Sequence, residues 1–364
     1  MESIPLQDSR PHEEVKMPTT PSERRHAVTI EEVAARAGVS KATASRVLSG
    51  HPATSEQSRA RVTAAARELD FQPNAQARSL RSARTGTVGV LIPDVRNMFF
   101  AELVHGVEQE ALARGYVNVL GNADENVTQQ DAFLEALMRQ RVDGVIIAPI
   151  GDGSGAITRL LSRRIPVVFV DRVLPGVGGT VPAITTDSAQ GLGEAIAHLR
   201  AHGHRRIGFI AGPQATSTGR ERLELFRRLM AENALPLRED HIVIGDFQPA
   251  SGARGIDILL DTADAPTAII TADSPMTAGA VSRLHERGMR PGHDIDLVAF
   301  DDIDWFALLD PPLSVIAHSA PEMGRRAVQA LCDVIEGRPP DSHVLPSTFI
   351  ARGPLAETPT GKAH

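Results

Sequence analysis

From Thr87 onward, short apolar runs alternate with amphipathic helical patterns, and this rhythm restricts the chain more than any other feature. TVGVLI is followed by FFAELVHGVEQEALARG, then VNVLG, a helical pattern around Gln130 to Gln140, DGVIIAP and PVVFV. A second cycle runs through RIGFIAG, Leu223 to Met230, HIVIGD, Ile256 to Leu260, TAIIT, Ala278 to Arg287 and DIDLVAF. Buried strands separated by helices of this length form parallel α/β sheets. Two cycles predict two lobes, and ligands of such sheets bind at the carboxyl ends of the strands, here between the lobes.

The segment before this body has a different grammar. Thr29 with Glu32 three residues on has capping-box spacing, Ile30, Val33, Ala34 and Ala37 share a helical face, and Gly38 ends the helix. Ser40 opens a second helix, KATASRVLSG, with Ala44, Val47 and Leu48 facing inward. A third begins at Ser55, carries Val62, Ala65, Ala66 and Leu69 on one face, and is stopped by Pro73. Two short helices around a Gly-Val-Ser turn, backed by a third, read as a helix-turn-helix headpiece. The exposed start of its second helix offers Lys41, Ala42 and Arg46 to base edges, and Arg46 suits bidentate contact with guanine.

Charge follows the same division. Between Arg24 and Arg84 there are 11 Lys and Arg against 5 Asp and Glu, whereas the rest of the chain has 27 against 40, for a net charge of -7. A basic module on an acidic body suits nucleic acid at one end only, although a solvated helix pair accounts for the charge equally well.

Other features exclude more than they assign. No apolar run approaches the roughly 18 to 20 residues of a membrane span, and MESIPLQDSR lacks signal-peptide order, so a cytoplasmic location is expected. Cys332 lies in an apolar helical pattern and reads as packing. No phosphate loop, HExxH or G-x-S-x-G elbow is present, and no enzyme, cofactor or metal is expected. Gly151 to Gly155 reads as a flexible turn, and His198, His202 and His204 only superficially suggest a metal cluster.

The motifs TIEEVAARAGVSKATASRVLSG, PNAQARSLR, IPDVRNMFFAELVHGVEQEA, GHRRIGFIAGP, AFDD and DPPLSVI occur in the order found in LacI/GalR-type (lactose-repressor-like) transcriptional regulators, which the chain resembles over about Val28 to Ile350. The resemblance implies a helix-turn-helix headpiece joined to a two-lobed α/β body like that of type I periplasmic sugar-binding proteins. The corresponding divisions are a disordered tail (1–26), DNA-binding domain (27–72), hinge helix and linker (73–85), effector-binding and dimerisation body (86–352) and flexible tail (353–364).

By the same resemblance, Lys41 and Ala42 occupy specificity positions, while Thr29, Ser40, Ser45, Ser55, Ser58 and Asn74 match DNA-backbone contacts. The hinge residues Ala77, Arg78, Leu80 and Arg81 match a minor-groove element in which Leu80 wedges between base steps. Two hinges in one groove imply a homodimer on a pseudo-palindromic double-stranded operator. The C-terminal tail has no heptad pattern for a larger assembly.

The implied effector residues are Phe99, Phe100, Asp171, Arg222, Phe247, Asp273 and Asp301. An aromatic ring, one guanidinium and several carboxylates suit an uncharged sugar or polyol. A purine or nucleoside effector is the alternative, and a sugar-binding transport component is a further one. Either Phe99 or Phe100 fits a core role equally well, and Asp302 and Asp304 read as solvated or capping residues. Two departures, Asp273-Ser274 for the usual Asn-Asp and Ala299 for the usual glycine, prevent carrying over any one relative's effector.

Overall fold

The structure, a computed structural model, describes residues 28–48, 51, 53–71, 84–151, 153, 155–177 and 179–353. The chain divides into two compact units, Met1–Arg81 and Ser82–His364.

In the first unit, α1 (Ile30–Ala37), α2 (Lys41–Leu48) and α3 (Glu56–Glu68) enclose Val33, Ala34, Ala37, Ala44, Val47, Val62 and Ala65. The expected capping box forms, with the Glu32 N–H donating to the Thr29 hydroxyl and the Thr29 N–H to Glu32 Oε2. Gly38 ends α1 at φ 63°, a left-handed conformation that glycine adopts without a Cβ penalty. The Ser40 and Ser55 hydroxyls accept from the N–H groups of Thr43 and Ser58 at 3.1 and 3.2 Å. These caps satisfy donors that a short helix otherwise leaves open.

The second unit contains two six-stranded sheets. Along the chain run β1 (Thr87–Ile92), α4 (Met98–Ala113), β2 (Val117–Asn122), α5 (Val127–Gln140), β3 (Gly144–Ile147), α6 (Gly155–Ser162), β4 (Val167–Val170) and β5 (Ala183–Asp187). Then come α7 (Ala189–Ala201), β6 (Ile207–Ala211), α8 (Ser217–Glu232), β7 (Ile242–Ile244), α9 (Pro249–Leu260), β8 (Ala268–Thr271), α10 (Ser274–Glu286), β9 (Asp296–Phe300) and β10 (Ser314–Ala317). The last elements are α11 (Ala320–Ile335), β11 (His343–Pro346) and β12 (Thr348–Ile350). The first sheet is ordered β11-β5-β4-β3-β1-β2 and is parallel throughout; the second is β12-β10-β9-β8-β6-β7, parallel except for β12.

The two cycles read from the sequence are present, but neither lobe is one continuous stretch. The chain leaves the first lobe after β5, returns after β10 through α11, and leaves again between β11 and β12. Buried Ser347 ties two crossings together, its hydroxyl donating to the Asp187 carbonyl and accepting from the Gly191 N–H. α11 packs closely on α4 because a Cβ at Gly106 would stand 2.2 Å from the Pro321 carbonyl oxygen, and one at Gly324 only 2.1 Å from that of Leu103. Cys332 is buried in this packing, as its pattern predicts. Among the described residues, no helix is long and apolar enough to cross a membrane.

Candidate functional site

On the headpiece, Lys41, Ala42 and Arg46 are exposed along α2, with Lys41 paired to Glu31 of α1. Such an exposed ion pair contributes only about 0–1 kcal/mol, a small barrier to recruiting Lys41 to another anion. Thr29, Ser40 and Ser55 serve as caps, Ser58 bonds the Ser55 hydroxyl, and Ser45 is half-buried on α2. Capping and phosphate contact are compatible roles for a hydroxyl that keeps a lone pair and a rotatable proton. Asn74, Ala77, Arg78, Leu80 and Arg81 lie outside the described residues, as do residues 1–26 and 354–364.

In the body, all seven effector candidates converge on one small cavity of about 20 Å³, together with Asn97, Arg172 and Thr218. Strand topology explains the convergence: Asp171 follows β4, Phe247 follows β7, Asp273 follows β8 and Asp301 follows β9. Phe99 and Phe100 begin α4 after β1, and Arg222 lies in α8 after β6. The two phenyl rings meet edge to face at 5.1 Å and belong to the first lobe's core as well as to the cavity wall. A core position and a place in the cavity wall are thus compatible for these residues.

Three site residues adopt left-handed backbone without being glycine: Asp171 at φ 59°, Phe247 at 61° and Asp301 at 71°. Conformations of this kind typically cost about 1–3 kcal/mol and persist where the surroundings over-determine them.

Several buried polar atoms here lack a hydrogen-bond partner among the described residues: Asp273 Oδ2, Arg172 Nε and both ring nitrogens of His318. Burial pushes the Asp273 carboxyl well above its ordinary range, against the hydrogen bond it accepts from the Met276 N–H as the N-cap of α10, and neighbouring Asp301 raises it further. Burial also lowers the His318 imidazole below its ordinary value although Asp301 lies 3.5 Å away. Arg222 stacks 4.3 Å over Phe300 and donates to the Ala272 carbonyl at 2.6 Å.

The lobes touch across the cavity. The Ser274 hydroxyl donates to Asn97 Oδ1 at 3.2 Å, the Val173 N–H to the Ser217 hydroxyl at 3.0 Å, and Gln248 Nε2 to Asp94 Oδ2 at 3.4 Å. A cavity this small holds about one water, so a larger ligand enters only when these contacts part.

Asn97, Arg172 and Thr218 line the cavity, and His318 packs on Phe99 beside Asp301, yet sequence reasoning named none of the four. Asn97 caps α4, an ordinary capping signal. Arg172 immediately follows Asp171 at a strand end, where a lone basic residue reads as solvated; in the structure it is buried. Asp302 instead pairs with Arg352, and Asp304 is exposed. The His198 and His202 rings meet at a 47° tilt with centroids 4.4 Å apart, whereas His204 turns inward to Asp296 and Thr267 at 2.6 and 2.9 Å.

The comparisons agree with this two-part architecture. Residues 29–74 match the family described as bacterial regulatory proteins, lacI family, and residues 196–353 match the periplasmic binding protein-like domain. The HTH-type transcriptional repressor PurR of Proteus mirabilis is 33% identical over 319 residues, covering 87% of this chain and 93% of that protein. The lac repressor dimer bound to operator and the anti-inducer ONPF superposes with TM-score 0.78 at 27% identity, covering 89% of this chain and 98% of that one. A putative ribose operon repressor from Burkholderia thailandensis is 35% identical with TM-score 0.68, covering 73% of this chain and 99% of that one. The chain belongs to the lacI family of bacterial regulatory proteins, DNA-binding transcription regulators rather than enzymes.

Proposed function

We propose that this chain is a dimeric repressor that reads a pseudo-palindromic operator through Lys41, Ala42 and Arg46 and releases or grips it according to a sugar or polyol held between the lobes. In this reading Thr29, Ser40, Ser45, Ser55, Ser58 and Asn74 hold the DNA backbone. Ala77, Arg78, Leu80 and Arg81 enter the minor groove, with Leu80 as the wedge.

The observation that carries the effector reading is the set of unpartnered polar atoms beside Phe99, Phe100 and Phe247 in the cleft. Buried polar groups cost free energy until something bonds them, and hydroxyls on a ring with an apolar face suit both the polar atoms and the phenyl rings. Asp171, Arg222, Asp273 and Asp301 supply the donors and acceptors. The likeness to a putative ribose operon repressor favours a sugar, whereas the likeness to PurR and the flat Phe247 ring support a purine or nucleoside as the second reading.

Coupling then follows from linkage. An effector that binds one lobe arrangement better shifts the molecule toward it, and if that arrangement moves the paired hinges, operator affinity changes by the same free energy.

The test is a thermal-shift panel of sugars, polyols, nucleosides and purine bases, repeated with Arg222→Ala. A sugar that raises the wild-type midpoint and fails with the variant supports the reading. A purine hit transfers it to the second reading, and an undiminished shift in Arg222→Ala removes Arg222 from the site.

A further inference from the structure

Arg172 is the cleft residue whose surroundings the effector reading leaves unexplained. Its side chain is 3% exposed, and its guanidinium lies 5.0 Å from the Phe247 ring centroid and 5.8 Å from that of Phe100. A free guanidinium there, planar and forked, would be a ready receptor for phosphate or carboxylate. It is not free, because Glu125 accepts from Nη1 and Nη2 at 2.8 and 2.6 Å, occupying both arms of the fork.

Glu125 is placed for this role by the turn before α5, where Asp124 and Glu125 adopt φ of 49° and 51° and Asn126 caps the helix. Asp171 does not substitute for it, since its carboxylate approaches only Nε and at 3.7 Å, beyond hydrogen-bond distance. With Arg172 neutralised, the carboxyls of Asp171, Asp273 and Asp301 outnumber the other lining cation, Arg222.

We propose that the Glu125–Arg172 pair is the charge filter of the cleft: by occupying the guanidinium fork, Glu125 makes the site accept uncharged ligands and reject phosphorylated or carboxylated ones. The filter rests on the reading of the cleft as an effector site and narrows its ligand class. Both residues belong to the first lobe, so the filter is assembled before the lobes close on a ligand. Removing Glu125 leaves the two terminal nitrogens of a buried guanidinium without their hydrogen-bond acceptor, Asp171 remaining 3.7 Å from Nε, and an added anion then satisfies them.

The experiment follows the thermal midpoint of the full chain in sodium phosphate and in sodium chloride of equal ionic strength. Orthophosphate binding to the basic headpiece is common to all variants and cancels in the comparison. The wild type is expected to give no phosphate-specific shift beyond that background. Glu125→Gln is expected to gain a saturable shift that sets in at phosphate concentrations at least about tenfold below any at which the wild type responds, and Glu125→Gln/Arg172→Met to lose it. A Glu125→Gln protein indifferent to phosphate, or a wild-type shift that Arg172→Met abolishes, overturns the filter.

If Glu125→Gln fails to fold, the wild type decides through neutral sugars against their phosphate monoesters. A monoester that stabilises more than its parent sugar overturns the proposal, and the reverse order supports it. If no small molecule stabilises the wild type while Glu125→Gln gains the phosphate shift, the masking of the Arg172 fork by Glu125 stands and the effector reading on which the filter's ligand class rests is what fails.

Discussion

The headpiece and the cleft carry their candidate residues in opposite ways. On α2, Lys41, Ala42 and Arg46 lie in water, and Lys41 pairs with Glu31 at the surface. In the cleft the candidates are buried, three stand on left-handed backbone, and Asp273 Oδ2, Arg172 Nε and both ring nitrogens of His318 have no hydrogen-bond partner among the described residues. A surface that meets a polyanion is repaid in water for every charge it shows, so nothing in its resting state need be unsatisfied. A site that engulfs a small ligand must remove its own groups from water beforehand, and the unsatisfied atoms record that.

The sharpest attempt to break the comparison targets packing. Phe226 is fully buried and stacks on Phe209 at 4.6 Å, so Phe226→Ala should cost the body about 3–5 kcal/mol. Calorimetry should show the body's transition falling while the headpiece's stays in place; an equal fall of both would mean that the units do not melt separately.

The next effect belongs to DNA. Arg46→Ala should lose about 1–3 kcal/mol of discrimination between operator and random sequence, with non-specific binding weakened far less. Unchanged discrimination in a competition titration would take Arg46 out of the base-reading set.

Smaller still is the helix cap. Thr29→Ala removes the capping box and should cost the headpiece about 1 kcal/mol, read from its own unfolding transition. Effector binding should be untouched.

The smallest effect is a slope in pH. Burial holds the His318 imidazole below its usual 6.5, so the stability tied to the neutral ring is complete above that pH and is lost as pH falls through the folded-state value. His318→Gln should flatten the acid side of the stability curve below 6.5, and a curve as steep as wild type would assign the slope to other groups.

Legibility divides along the same line. Gly38, the Thr29–Glu32 box and the Ser40 and Ser55 caps were readable because each is a local rule spanning a few residues. Strands such as Val167–Val170 and Ala268–Thr271 were readable from unbroken apolar runs. Ala183–Asp187, His343–Pro346 and Thr348–Ile350 were not, because they are edge or near-edge strands with polar residues and partly exposed faces. The effector candidates came through resemblance, and topology then explained their convergence by bringing strand ends together.

By itself the sequence determined the three capped helices, the alternation of strands and helices, and the motif order that marks the family. It did so because capping and periodicity act within one or two turns of chain. Only the tertiary structure decided that the lobes are discontinuous, that Ser347 ties two crossings, and that Arg172, 47 residues from Glu125, is buried against it beside Phe247. Those facts depend on contacts between distant segments, and desolvation turns a basic residue that reads as solvated into a buried ion pair.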